Sequence, residues 1–270
     1  MPIISLKKAE KEKLLNLFFR LHNLSKNHPM AKEEIMTALR CLKGVHSNAI
    51  EDRSIDRVFL QILLHNAGIS DKKMISAAYQ KASFELHGQE EMLRWLETLS
   101  KTPEPVSISL ILEIHKRIFS KSWPDMAGRF RDIEVRISDM SHVPPHPQQI
   151  SQLLQQYLTT INEQLSDFKI LTTDNFFDVL RLSAQAQYLI AHVHPFQDGN
   201  GRVARAFGDY ILLTFDMFYD VIMTEYRDAY LDALVECDTS NVDPLFNFLQ
   251  FSYLETLERI STFFNLIKDE

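Results

Sequence analysis

Apolar residues return every three or four positions along nearly the whole chain, and this spacing narrows what the chain can fold into more than any other feature. Residues 7–24 show it first, with Leu14, Leu15, Leu17, Phe18, Phe19 and Leu21 on one broad face. Leu outnumbers Val 34 to 11 and there are only seven glycines, a bias that favours helices, because unbranched Leu loses little rotamer freedom there while Val is stiff at χ1. The pattern predicts a helix opened near Pro29 and closed by Gly44, then a short helix followed by a more apolar one ending at Gly68. Residues 71–99 are helical in pattern with Gly88 as a candidate break, and "KTPEP" at 101–105 reads as a linker. Further helices are expected over 107–119, 148–165, 174–192 (capped by Thr173 or Asp174), 201–213, 225–237 and 243–266. One stretch departs from this. In "IEVRI", Ile133 to Ile137, apolar and charged residues alternate with period two, and the turn formers of "SDMSHVPPHP" follow, so 132–146 reads as a short β-hairpin or extended flap. The expected fold is all-α (mainly helical) with that short β-hairpin flap.

The net charge of −7 argues against a general nucleic-acid binder, which needs a basic face to neutralise phosphates. Cys41 and Cys237 form no CxxC pair and are read as buried small hydrophobes, with neither a zinc site nor a disulfide framework. No run approaches the ~20 apolar residues of a membrane span, and the N-terminus has no secretory apolar core. A cytoplasmic, reducing setting is the default expectation, with export by a route that needs no N-terminal signal left open.

The chemistry concentrates in "AHVHPFQDGNGRVAR", Ala191 to Arg205, which holds two of the seven glycines around one asparagine. Flanking glycines let successive N–H groups face one concavity, and the helix start that follows favours an anion. Arg202 and Arg205, spaced i,i+3, share a helix face and present guanidinium forks suited to phosphate oxygens. The stretch therefore reads as a phosphate cradle without a Walker A loop. Asp198 supplies one carboxylate for Mg²⁺, whose shell phosphates and water complete, and His194 stands where a base is wanted. By itself a Gly-Asn-Gly turn between two helices needs only its backbone freedom. His192-x-His194 lacks a third histidine at fitting spacing, so His192 is read as packed or hydrogen-bonded, and His115 as an ordinary structural histidine.

"HPFQDGNGRVAR", His194 to Arg205, resembles the Fic family signature HxFx[DE]GNGRxxR at every defined position. The resemblance implies a helical Fic core with this loop between two helices and a flap beside it. It also implies transfer of AMP from Mg·ATP to a Ser, Thr or Tyr hydroxyl of a target protein, with release of pyrophosphate. In that reading His194 is the general base, Phe196 anchors the loop and Asp198 holds Mg²⁺. Gly199, Gly201 and the Asn200 side chain bind phosphates, Arg202 helps position the triphosphate, and Arg205 meets the γ-phosphate. "GRFR", Gly128 to Arg131, matches the family's GxxR before the flap, and Val135, Ile137, His142 and Val143 would dock the target segment. Tyr230 and Asp238 are adenosine-side candidates, with ordinary helix surface and a cap as the competing reading. The resemblance spans about residues 107–250, so that 101–270 is read as the Fic core. A homodimer is compatible with it, and neither nucleic acid nor membrane is an expected partner.

Upstream, "HSNAIEDRS" at 46–54 resembles the family's inhibitory pattern [ST]xxxE[GN] through Ser47 and Glu51, with Asp52 where Gly or Asn is usual. Residues 1–100 then form an N-terminal helical region that includes an inhibitory helix at about 46–57. Glu51 would compete with ATP for Arg205, and it would serve removal of AMP from a modified protein in the reverse reaction. Two alternatives are retained: the same fold transferring UMP, phosphocholine or phosphate, and a non-catalytic module that holds a peptide on the flap.

Overall fold

Helices carry the regular structure, as the spacing predicts. The computed structural model describes residues 4–51, 77–137 and 142–268. In chain order the helices are α1 (Lys8–Asn27), α2 (Pro29–Glu51), α3 (Ala77–Leu99), α4 (Ile108–Phe119), α5 (Ile150–Ser166), α6 (Phe176–Val193), α7 (Asn200–Thr214), α8 (Arg227–Val235) and α9 (Asp243–Lys268), with 3₁₀ turns at Pro147–Gln149 and Thr224–Tyr226. The expected helix running to Gly68, residue Asp52 and the part of the inhibitory segment beyond Glu51 lie outside the described residues.

α7 is the centre of the molecule. It packs along α6 and is also met by α2, α3 and α4, and its side chains from Arg202 to Leu213 are buried on every face. A helix so enclosed reads as apolar all round, save for charges that find partners inside. α1 lies on α9 and α2, while α5 covers α6 and α4. Buried Arg40 ties α2 to α3 by donating to both carboxylate oxygens of Glu97 at 2.7 Å.

Several expected boundaries move. α2 does not close at Gly44 but runs on to Glu51, so that the residues of the inhibitory pattern sit on its last turns. Gly88 does not break α3; a side chain there would strike the backbone carbonyls of Arg117 and Ile118, so the glycine marks where α3 crosses α4 closely. α4 starts as expected, with the Ser107 hydroxyl accepting from the Leu110 N–H at 3.2 Å. α6 begins later than Thr173 or Asp174 would have it. Asn175 is its N-cap, and Thr172 and Asn175 close the preceding turn by exchanging side-chain–backbone hydrogen bonds of 2.7 and 3.3 Å. Cys237 is buried as expected, whereas Cys41 is exposed on α2.

The β-hairpin expected at 132–146 is overturned: no strand occurs among the described residues, and the arms 132–137 and 142–146 pair in no ladder. Their geometry comes from one side chain. Buried Arg131 donates from Nη1 to the Ile133 carbonyl at 2.9 Å and from Nη2 to the Pro145 carbonyl at 2.6 Å, holding both arms. Pro144, Pro145 and Pro147 have no N–H to give a ladder, and two short strands alone are marginal in water. Alternation in "IEVRI" therefore reflects an arm with alternate faces, not a strand. Val135, Ile137 and His142 are half-buried, while Ile133 and Val143 stand exposed.

Candidate active site

α6 ends at Val193, and His194 caps it in the left-handed region at φ 49°, its N–H still donating to the Ile190 carbonyl at 2.9 Å. That turn swings the chain out of the helix and into the loop. Burial lowers the His194 pKa to about 4; nearby Arg131 adds to this, against the Ala191 carbonyl and the Glu51 carboxylate. The ring is therefore neutral at pH 7 and able to accept a proton.

The loop is closed from within by Asn200. Its Oδ1 accepts from the Phe196 N–H at 2.9 Å and its Nδ2 donates to the Phe196 carbonyl at 2.8 Å, so this amide is first of all a loop staple. Gly199 follows at φ 81°, and a Cβ there would collide with the Phe119 ring. Both reasons require glycine. α7 then begins, and the first turn of any helix leaves N–H groups without intrahelical acceptors at its positive end.

His115, an ordinary structural histidine by its place in the sequence, supports this loop from below. Its Nδ1 accepts from the Gly128 N–H at 2.9 Å, which fixes the proton on Nε2 to donate to the Asp198 carbonyl at 3.1 Å. Its ring stacks on Phe196 with centroids 3.9 Å apart, and burial lowers its pKa to about 4, against the Asp198 carbonyl. Arg131 does the same from the flap side. Its Nε donates to the His194 carbonyl at 2.8 Å, and its own N–H to the Pro195 carbonyl at 2.9 Å. The GxxR match had drawn attention to Arg131. Nothing in the sequence singled out His115, which lies 83 residues from its acceptor.

A cavity of about 370 Å³ gathers Glu51, His142, His194, Gly201, Arg205 and Tyr230 on its walls. Its size suits a nucleotide-sized ligand. Arg205, 1 % exposed, donates from Nε to the Ser47 hydroxyl at 2.9 Å, and from Nη2 to the Ser47 carbonyl and to Glu51 Oε1, both at 2.7 Å. Burial opposes its charge, but Glu51 and Tyr230 outweigh this and keep the guanidinium protonated. The Glu51 side chain, 34 % exposed, also fills the space over Gly201 that a Cβ would need. Further down the same face of α2, Lys43 pairs with Asp209 at 2.7 Å, one turn past Arg205. α2 thus grips α7 through Lys43, Ser47 and Glu51 at i, i+4, i+8.

The remaining expected residues separate into two groups. Tyr230 is on the cavity wall, its hydroxyl 3.2 Å from Gln187 Oε1 and its ring 5.9 Å beneath the Arg205 guanidinium. His142 joins the wall by bonding the His192 carbonyl at 2.8 Å, its ring 4.7 Å from that of His192, while Tyr188 bonds His192 Nδ1 at 3.2 Å. His192 is thus packed and hydrogen-bonded, and Ile137 lines the cavity beside it. Asp198, Gly199, Arg202 and Asp238 are not on that wall. Arg202 turns under the loop to Glu85, Asn48 and the Phe119 ring. Asp238 caps the exposed turn after α8, its Oδ1 accepting from Ser240 and Asn241 at 2.7 and 2.9 Å. Asp198 is half exposed; its Oδ1 accepts from the Gly199 N–H at 2.6 Å and lies 3.8 Å from Arg202. No group of three metal-ligating side chains occurs among the described residues, but one exposed carboxylate, Asp198, is a donor set that fits Mg²⁺, which takes one or two carboxylates and completes its shell with phosphates and water. No described helix is long and apolar enough to cross a membrane.

Comparison with known proteins places this geometry. Residues 105–212 match the Fic/DOC family. The protein adenylyltransferase Fic of Nematostella vectensis is 27 % identical over 205 residues, covering 76 % of this chain and 44 % of that protein. The protein adenylyltransferase fic-1 of Caenorhabditis elegans is 27 % identical over 224 residues, 82 % of this chain and 41 % of that one. The chain thus spans less than half the length of these curated relatives. Among solved structures, C. elegans Fic-1 (residues 134–508) superposes with a TM-score of 0.70 at 24 % identity, covering 97 % of this chain and 74 % of that one. A Fic domain-containing signaling protein from Bacteroides thetaiotaomicron gives 0.73 at 19 % identity, with 93 % and 95 % covered. The fold is the Fic fold, and the match to the Fic/DOC family lies within it at residues 105–212.

Proposed function

We propose that this domain is a protein adenylyltransferase held in check by its own α2. The observation that carries the reading is the convergence of a neutral, half-buried His194, the start of α7 and Arg205 on one cavity, with Glu51 already on Arg205. In the reaction, His194 takes the proton of a target Ser, Thr or Tyr hydroxyl. The hydroxyl oxygen attacks the α-phosphorus of ATP, the bond from that phosphorus to the bridging oxygen breaks, and pyrophosphate leaves with its electron pair. Gly201 leaves room for the phosphates against the first N–H groups of α7, and Arg205 neutralises the γ-phosphate once Glu51 withdraws. Mg²⁺, when bound at Asp198, offsets phosphate charge. The walls formed by Tyr230 and Cys237 accommodate the nucleoside end, and the arms that carry Val135, Ile137, His142 and Val143 receive the target segment.

With Glu51 in place, the γ-phosphate meets a carboxylate where it needs a cation, which blocks productive ATP. The test is incorporation of label from α-labelled ATP into protein. Glu51→Gly should raise it above the parent chain, and adding His194→Ala should remove it. An added AMP mass on the labelled protein is the expected product; phosphate, UMP or phosphocholine in its place would exclude this chemistry. A second reading rests on Glu51 lining the same cavity as His194. There the Glu51 carboxylate takes a proton from a water whose oxygen attacks the phosphorus of an AMP-modified side chain, the bond from that phosphorus to the side-chain oxygen breaks, and a proton passed on through His194 reaches the departing oxygen. Release of AMP from modified protein should then need both Glu51 and His194.

A further inference from the structure

Arg202 is the one signature cation that does not reach the cavity, and its surroundings explain why. Its Nη1 donates to Glu85 Oε2 on α3 at 2.5 Å and to Asn48 Oδ1 on α2 at 3.2 Å. Asn48 in turn donates from Nδ2 to Gln89 Oε1 on α3 at 3.0 Å and to the Gly44 carbonyl at 2.7 Å. Arg202, Glu85, Asn48 and Gln89 are 4, 6, 3 and 1 % exposed. Three helices therefore meet on one dry, polar junction of four side chains.

The register of this junction is what gives it a task. Asn48 and Glu51 are three residues apart on α2, and Arg202 and Arg205 three apart on α7, so each pair shares a helix face. The Asn48–Arg202 and Glu51–Arg205 contacts are neighbouring rungs of the same helix pair. Withdrawing Glu51 by moving α2 pulls Asn48 away from Arg202 and Gln89 as well, leaving buried polar groups without partners, which is costly. Glu85 makes the rung firm because it compensates the Arg202 charge out of water. Among the described residues, the other carboxylate that pairs with Arg202 is Asp198, at 3.8 Å, on the loop itself.

We infer that Glu85, acting through Arg202 and Asn48, is a positioning residue that keeps α2 seated and so sets the strength of the Glu51 brake. The inference rests on the proposed brake. It extends that brake to α3, a helix that touches neither nucleotide nor target in the proposed reaction.

Binding of ATP with Mg²⁺ to the full chain, measured by calorimetry in the His194→Ala background so that nothing turns over, tests it. Glu51→Gly should tighten binding most. Glu85→Gln should tighten it by about tenfold, a shift readily resolved, and Asn48→Ala by less, while both lower the thermal midpoint. Glu85→Asp, which retains the charge, should restore weak binding. A role confined to stability would weaken binding along with the midpoint, never tighten it. If Glu51→Gly tightens binding while Glu85→Gln and Asn48→Ala leave it unchanged or weaker, the inference is wrong and the brake stands. No tightening by Glu51→Gly itself would remove the brake, and the inference with it. Should Glu85→Gln not fold, Asn48→Ala and Gln89→Ala decide the same question from the other side of the junction.

Discussion

Arg202 and Arg205 leave the same helix one turn apart, and each meets a glutamate that arrives from far upstream in sequence. The two pairs are made differently. Arg205 opens onto the cavity, and its partner Glu51 is one-third exposed at the last turn of α2. Arg202 lies beneath the loop, and Glu85 is almost as buried as the arginine it holds. A carboxylate that can reach water is cheap to detach, whereas one that is shut in leaves an uncompensated charge behind. The comparison teaches that two matching letters of one signature can sit in unlike settings: one arginine faces a cavity and a carboxylate that reaches water, the other is shut in with its carboxylate between helices.

Four experiments would break or sharpen this contrast. The largest effect is expected at the closed pair: Glu85→Ala should cost ~3–5 kcal/mol in denaturant unfolding, against a clearly smaller loss for Glu51→Gly. Similar losses for the two would erase the distinction. Next, Arg205→Ala in a Glu51→Gly chain should cut AMP incorporation by on the order of 10²–10³-fold, as loss of one preorganised transition-state donor does. Asn200→Ala should destabilise by ~1–3 kcal/mol because the buried Phe196 backbone loses both of its side-chain partners.

The smallest effect is a displacement in pH. A base must be unprotonated, and burial holds the His194 pKa down to about 4, so the acid limb of the AMP-transfer rate should fall near there and not near the ordinary imidazole value. The Glu51 carboxylate raises that pKa. Hence the limb should move to lower pH in Glu51→Gly. A limb that stays put or moves up would separate Glu51 from His194.

How much of this could be read from the letters depends on how far apart the cooperating groups lie. The loop from His194 to Arg205 was legible because its chemistry is contiguous, and Glu51 because a known pattern surrounds it. Glu85 gave no such signal: it is one acid on an amphipathic helix, 117 residues from Arg202. His115 was hidden for the same reason. The helices were legible from their spacing, but their ends were not, since Gly44 and Gly88 are accommodated inside helices by what packs around them. The flap misled because period-two alternation marks residues that face two ways, with or without a neighbouring strand. Asn200 shows a limit of another kind. Its letter belongs to the phosphate signature, and its side chain is spent on the loop's own backbone.

Arg131 has a consequence for how a target would be aligned. One guanidinium holds the carbonyls of both flap arms and that of His194. The surface that would seat the incoming hydroxyl and the ring that would deprotonate it are thus measured from a single reference point. A shift of the flap carries the base along with it, and their separation survives motions that would otherwise spoil the approach.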